Sequence, residues 1–331
     1  EPTVSLIRQL HQMLQTPKMM KTLLLALLLT CVSGDSECQE PFTCTAESGG
    51  DVLNCLSVPS DQELSCQLKL HSQYSELYIR YSAITSLEDS GSGSPRSLDV
   101  SFNNLLTTVK EGVFNNTEMR DAIFKSNGIY SFPFTFLSSA TKLAYLSLLD
   151  NKIKALPGSI PDIPSLEHLD LNHNLIKVIP PRVFGNLGSL KMVQLAANKI
   201  SSLEPQSLEF KTKGVGVELG WNKLTTITLD VFSISHLPSF LDLRENLLTS
   251  LEETTFRPII ENMKYLGSRA SLLILGNPVE CSCDLRWLYD WGYRERVIQN
   301  FVHVSCKESG LEINIWQSGV IHDCPPKNQS S

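Results

Sequence analysis

The chain has no apolar run long enough to cross a bilayer. Its longest, Leu23–Leu29, falls well short of the roughly 20 residues that a membrane helix needs. The end of the sequence, "PPKNQSS" at 325–331, is polar, so neither a membrane anchor nor a lipid-anchor signal is expected. Cationic charge is also scarce: 28 Lys and Arg stand against 35 Asp and Glu, a net charge of −7. A nucleic-acid binder would carry a basic face, and that class is set aside. No G-x-S-x-G, H-E-x-x-H, P-loop or dinucleotide fingerprint occurs. The sequence therefore implies no cofactor and gives no reason to expect an enzyme. Cysteine is missing from residues 67–280, although the chain has nine. Cys31 lies in the apolar N-terminal segment, and the other eight gather at the two ends: Cys38, Cys44, Cys55 and Cys66 before the gap, and Cys281, Cys283, Cys306 and Cys324 after it.

What fills the cysteine-free middle is a repeat. Leu146, Leu148, Asn151 and Ile153 form L-x-L-x-x-N-x-I, which returns at Leu169, Leu171, Asn174 and Ile176 and again at Val193, Leu195, Asn198 and Ile200. The asparagine position recurs as Ser82, Asn103, Asn127, Asn151, Asn174, Asn198, Asn222, Asn246 and Asn277, with steps of 21, 24, 24, 23, 24, 24, 24 and 31. A period of 20–29 residues with this consensus predicts a leucine-rich repeat, one short strand and a return arc per coil. Alternating apolar residues turn one strand face into the core. The asparagine amide should then turn inward and bond to the backbone of neighbouring coils. An apolar content of 42% is enough for a sizeable core. The predicted architecture is an α/β solenoid: a right-handed horseshoe with a parallel concave β-sheet, disulfide-bonded at both caps.

Taken in order, residues 1–18 precede a basic, then apolar, then small-residue segment at 19–34, which reads as a secretory signal peptide ending before Asp35. Met19 or Met20 stands where an initiator belongs, so residues 1–18 are expected to be upstream sequence. The competing reading takes Leu6, Ile7, Leu10, Met13 and Leu14 as one face of a helix. Export and two even cysteine sets predict disulfides in a secreted, extracellular protein; thiols free or bound to zinc in the cytosol are the alternative. Residues 35–74 suit an N-terminal cap whose four cysteines allow three pairings. About nine repeats fill 75–277. Within them "EDSGSGSPR" at 88–96 is expected to be a loose outer loop, and "PIIENMKYLGSRA" a surface excursion of one helical turn. Phe114, Phe184, Phe232 and Phe256 should fill the outer half of the core. Residues 278–324 form the C-terminal cap, followed by the polar segment 325–331. Asn115 in "NNT" and Asn328 in "NQS" match the N-glycosylation pattern.

The run N-P-x-x-C-x-C-x-L-x-W-L at 277–288, with two later cysteines, resembles the cysteine-rich C-terminal cap of secreted and cell-surface leucine-rich repeat proteins. The resemblance covers roughly residues 75–324. It implies pairing of Cys281 with Cys306 and of Cys283 with Cys324, and a short helix headed by Leu285, Trp287 and Leu288, with Trp287 and Trp291 in the cap core. It also implies binding of proteins, occasionally glycans, on the concave sheet, without catalysis. The plan of signal peptide, N-cap, repeats and unanchored C-cap is similar to that of the non-catalytic leucine-rich subunits of shrimp luciferin 2-monooxygenase and their arthropod relatives, so one expected partner is a small secreted catalytic subunit. The N-cap departs from the usual family spacing because it has no C-x-C pair.

Residues between the core positions of each strand should face the concave side. From these the candidate binding residues are Asp150, Asp170, Asn172, His173, Glu218, Trp221, Asp242, Arg244 and Glu245. The expectation is an acidic surface from Asp170 to Glu245 that meets a basic protein partner, with Trp221 as its aromatic anchor. His168, Asp170 and His173 resemble a metal-ligand cluster, but the repeat consensus with polar fillers accounts for "HLDLNH", and no metal is expected.

Overall fold

The computed structural model describes residues 38, 43–71, 73–91, 93–266 and 270–325. The expected signal peptide, the segment before it and Asn328 lie outside the described residues. From Cys44 onward the chain winds as a solenoid. Two strands, β1 (Cys44–Glu47) and β2 (Val52–Leu56), and helix α1 (Asp61–Leu70) open it. Nine coils follow, each with one strand on the common sheet: β3 (Glu76–Arg80), β5 (Ser97–Asp99), β7 (Asp121–Ile123), β8 (Tyr145–Ser147), β9 (His168–Asp170), β10 (Met192–Gln194), β11 (Gly216–Glu218), β12 (Phe240–Asp242) and β13 (Ser271–Ile274). Two short strands, β4 (Ser86–Leu87) and β6 (Thr108–Val109), pair separately. The chain closes with helix α2 (Glu253–Lys264), inserted before β13, then α3 (Arg286–Arg294), β14 (Val302–Glu308), β15 (Leu311–Asn314) and the single turn α4 (Gly319–His322).

The strands are short because only the L-x-L core of each repeat alternates. β2 through β14 pair in parallel, while β1 with β2 and β14 with β15 pair antiparallel. Register is set by the core residues. Leu146 lies opposite Leu169, Leu169 opposite Val193, Val193 opposite Val217, and Val217 opposite Leu241. A slip of one residue would turn this whole file to solvent, so burial alone fixes the pairing. The outer half of the core holds Phe114, Phe184, Phe232 and Phe256, all buried as expected.

The asparagines lock one coil to the next. Asn174 donates from its amide to the carbonyl of Leu148 in the preceding coil at 2.9 Å and to Leu171 at 3.1 Å, while its oxygen accepts from Ile153 N–H at 3.0 Å. Asn198, Asn222 and Asn246 repeat this with the same partners shifted one coil, and Asn277 does so with Leu243 and Leu248. The residue just before each asparagine adopts a positive φ, from 53° to 62° at Tyr81, Phe102, Ser126, Asp150, His173, Ala197, Trp221 and Glu245. This left-handed backbone costs about 1–2 kcal/mol for a non-glycine residue. The turn persists because its own N–H continues the ladder: Asp150 donates to Asn172 O, Trp221 to Arg244 O and Glu245 to Leu275 O, all at 2.8–3.0 Å.

Two local expectations need correction, and one open question is answered in part. The described residues of the loop, 88–91 and 93–96, pack in part: Ser90 and Pro95 are buried, while Glu88, Asp89, Ser94 and Arg96 stay exposed. Tyr74 is buried beneath the loop and donates its hydroxyl to Ser90 O at 2.7 Å, and burial pushes that phenol up to about 12. A side chain at Gly93 would run into the Tyr74 ring, so glycine is needed for this close approach. The excess residues of the eighth repeat are no surface excursion: Phe256, Ile259, Ile260 and Met263 place one face of the 12-residue α2 in the core. The open question of the N-cap is settled in part, since Cys44 and Cys55 lie opposite each other on β1 and β2 and are bonded; Cys38 and Cys66 are also disulfide cysteines.

The C-cap follows the resemblance. Cys281 bonds Cys306 and Cys283 bonds Cys324. Leu285, Trp287, Leu288 and Trp291 are buried, and the Trp287 indole N–H donates to Leu251 O at 3.1 Å. Arg257 of α2 sits 5.0 Å from the Trp291 ring, joining the last repeat to the cap.

Replacing a ladder asparagine tests this account. Asn198→Ala leaves Ile176 N–H without its side-chain acceptor in a dry interior and removes one of the two amide donors to Leu171 O, the other being Asn174. The expected loss is about 2–4 kcal/mol in urea unfolding. A loss below about 0.5 kcal/mol would mean that the amide contributes little to coil stacking.

Candidate functional site: the concave face and its rim

The sequence candidates separate into two environments. Asp170 and Asp242 lie on strands of the concave sheet but are only 5% and 3% exposed. Asn172, Glu218 and Arg244 are half-buried, and Asp150, His173, Trp221 and Glu245 are exposed. The exposed four occupy the left-handed position before an asparagine, where the chain turns off the sheet. They form a rim along one edge of the concave face. Strand alternation places Asp170 and Asp242 on the correct side but does not tell that they are covered. Strands about 4.8 Å apart crowd a short side chain from both sides.

Both buried carboxylates are occupied internally. Asp170 accepts from the Ser147 hydroxyl at 3.1 Å and from Asn172 N–H at 3.0 Å. Burial still pushes its carboxyl above the usual aspartate range, with those hydrogen bonds opposing the shift. Asp242 accepts from Arg244 N–H at 3.0 Å and grips its guanidinium, with Nε at 3.0 Å and Nη2 at 2.7 Å. Neither is a free acid for a basic partner. The acids left on the surface are Asp150 and Glu245 on the rim, with Glu218 partly engaged by the Gln194 amide at 2.9 Å.

The grip on Arg244 has a second consequence. The guanidinium is held 5.3 Å from the ring of Trp221, which is 52% exposed. An indole fixed by its backbone on one side and by a clamped cation on the other loses little entropy on binding. At the opposite end of the rim, Tyr81 and Phe102 stack in parallel, with centroids 5.2 Å apart and planes 8° from parallel. The candidate residues drawn from the sequence do not include this pair. The signal was available, since both directly precede an asparagine-position residue, Ser82 and Asn103.

His168, Asp170 and His173 do not gather into a ligand set. His168 is half-buried with its ring 6.3 Å from that of Tyr145, and His173 stands out on the rim. Among the described residues no group of three or more His, Cys, Asp or Glu is placed to hold a metal ion. Asn115 is exposed after the 3-10 turn Glu111–Phe114, where a glycan could be accommodated. No described helix is long and apolar enough to cross a membrane.

Comparison with known proteins agrees with this geometry. A family described as "Leucine rich repeat" matches residues 164–210, which hold the complete coils around Asn174 and Asn198. A chain of a solved octameric complex of Latrophilin 3, Unc5D and FLRT2 (LRR) superposes with a TM-score of 0.58 at 17% identity, over 86% of this chain and 100% of that one. The chain has the leucine-rich repeat fold. Among curated relatives, the non-catalytic subunit of Oplophorus-luciferin 2-monooxygenase from Oplophorus gracilirostris is 27% identical over 75% of this chain and 77% of its own length. Keratocan from Gallus gallus is 31% identical over 46% of each chain. Osteomodulin from Bos taurus is 26% identical over 60% of this chain and 44% of its own. The expectation of a leucine-rich repeat chain without catalytic activity agrees with these relatives, one of which is named a non-catalytic subunit. The disulfides at both ends fit an oxidising, extracellular setting.

The buried carboxyl gives a pH test. A carboxyl raised in the folded state favours folding when protonated, and its ionisation opposes folding at higher pH. Asp170→Asn keeps an acceptor for Asn172 N–H and removes the buried charge. It should raise Tm at pH 7, with the gain shrinking as pH falls and the wild-type carboxyl protonates. A lower Tm at pH 7 would show that the ionised form is required.

Proposed function

We propose that this chain is a secreted, non-enzymatic protein-binding subunit that holds its partner on the concave face and rim of its C-terminal half. The observation that carries this reading is the half-exposed Trp221, fixed by a left-handed backbone and by Arg244, which Asp242 clamps. Large aromatics on rigid scaffolds supply much of the energy of protein interfaces. Glu218 and Glu245 flank the indole and Asp150 and His173 lie further along the rim, so the contact prefers a partner with basic residues around an apolar centre. The similarity to the Oplophorus non-catalytic subunit supports a partner that is itself a secreted oxygenase-type catalytic chain. A second reading, an extracellular recognition or adhesion protein, draws support from the exposed aromatic pair at the other end of the rim.

Recovery of the tagged, secreted chain from its own tissue separates the two. One small partner in stoichiometric amount, bringing an oxidation activity absent from the chain alone, supports the subunit reading. Cell-surface material without such a partner supports the recognition reading. With the partner in hand, Trp221→Ala should weaken binding about thirtyfold. Alanine is compatible with the rim, because Ala197 already occupies the same backbone conformation. Charge reversal at Glu218 and Glu245 should slow association and remove the fall in association rate with added salt that the wild type shows. Unchanged affinity in both variants would place the partner elsewhere.

A further inference from the structure

The rim pair Tyr81 and Phe102 has no role in the proposed protein contact, which lies several coils away. Neither ring fills the core: Tyr81 is 63% exposed and Phe102 37%. Both stand in the left-handed conformation that the coils share at this position, which is also occupied by Ser126, Ala197 and Gly276 and by the larger Asp150, His173, Trp221 and Glu245. Since the fold accepts alanine and glycine here, a large exposed ring that it does not need points to a surface use. The environment narrows the ligand. Ser57 holds the next rim position toward the N-terminus, with the same positive φ of 54° and its N–H donating to Arg80 O at 3.1 Å. Its hydroxymethyl group is too short to cover a phenol ring, so the Tyr81 face turned toward it stays open. On the other side, Lys125 Nζ stands 5.8 Å from the Phe102 centroid and, among the described residues, has no carboxylate within salt-bridge distance. Nearby Arg80 is already neutralised by Asp99.

We propose that Tyr81, Phe102 and Lys125 form a binding site for an acidic saccharide, one carrying a hexuronate or similar carboxylated pyranose. The open Tyr81 face stacks on the C–H face of one sugar ring, and the unpaired ammonium, beyond Phe102, receives the carboxylate of another residue of the same saccharide chain. A flat ring without a surrounding cavity suits a pyranose better than a protein anchor, because interface anchors are enclosed by packed neighbours that exclude water. The net charge of −7 leaves this cation–aromatic corner as a local exception, so a polyanion would be admitted at this end and repelled along the acidic rim at Asp150 and Glu245.

The test is titration of the secreted chain with a hyaluronan decasaccharide and, in parallel, neutral chitohexaose. Binding of hyaluronan is expected, weaker for chitohexaose. Tyr81→Ala with Phe102→Ala should reduce hyaluronan affinity at least about tenfold. Lys125→Gln should remove most of the preference over the neutral sugar, and Trp221→Ala should leave saccharide binding unchanged. Absence of hyaluronan binding, or binding unaffected by the aromatic double substitution, overturns the proposal. So does loss of a captured protein partner in that double variant without any saccharide binding, which would make the corner a protein contact. Because Trp221 is the control, failure here leaves the protein-binding reading intact, and failure of that reading leaves this one intact.

Discussion

The structure depends on the satisfaction of backbone groups at one turn per coil. A strand of three residues cannot hold its neighbour by ladder bonds alone, and the chain must leave the sheet through a left-handed residue that costs energy. The buried asparagine that follows resolves both problems. Its amide bonds to the preceding coil and to its own coil, while its oxygen receives an N–H from the preceding coil. Leucine at this position would fill the space and leave those groups bare. The ladder is thus specified by hydrogen bonding where the rest of the core is specified by volume.

This constraint also creates the functional surface. Because the residue before each asparagine is forced to a positive φ, its side chain is carried off the sheet to the rim and kept out of the core. The backbone there is as rigid as the ladder that holds it, so whatever side chain stands on the rim is presented in a fixed place. Polar or small residues take the position at Ser126, Asp150 and Ala197. Aromatics take it at Tyr81, Phe102 and Trp221, with Lys125 beside the second and Arg244 beside the third. A solenoid needs none of these rings, and the uniform backbone beneath them lets the two ends of the rim diverge in chemistry without disturbing the fold.

The repeats, the inward asparagines and the core phenylalanines were legible from spacing, because each depends on a short pattern and a period, and the C-cap was legible through the resemblance of its run at 277–288 to a known cap. Other features were not. The helix α2 was readable in principle, since Phe256, Ile259, Ile260 and Met263 follow helical spacing, but a strong repeat frame made the excess residues look like a loop. The burial of Asp170 and Asp242 was hidden because alternation fixes the direction of a side chain and says nothing about what neighbouring coils lay over it. The clamp of Asp242 on Arg244 links residues two apart, yet its meaning depends on Trp221 in the coil before. The packing of Tyr74 beneath Gly93 joins two segments whose sequences give no sign of each other. Pairing of Cys44 with Cys55 needed the antiparallel hairpin that brings them opposite.

The central claim is that the rim is the binding edge. Hydroxyl-radical footprinting of the chain alone and with its co-purified protein partner tests it most directly, because it reports side-chain exposure without substituting any residue. The account predicts that oxidation of Trp221 falls sharply in the complex, while Tyr265, 85% exposed just beyond α2, stays as reactive as before. Unchanged Trp221 together with protection of Tyr265 would contradict it and move the contact off the rim.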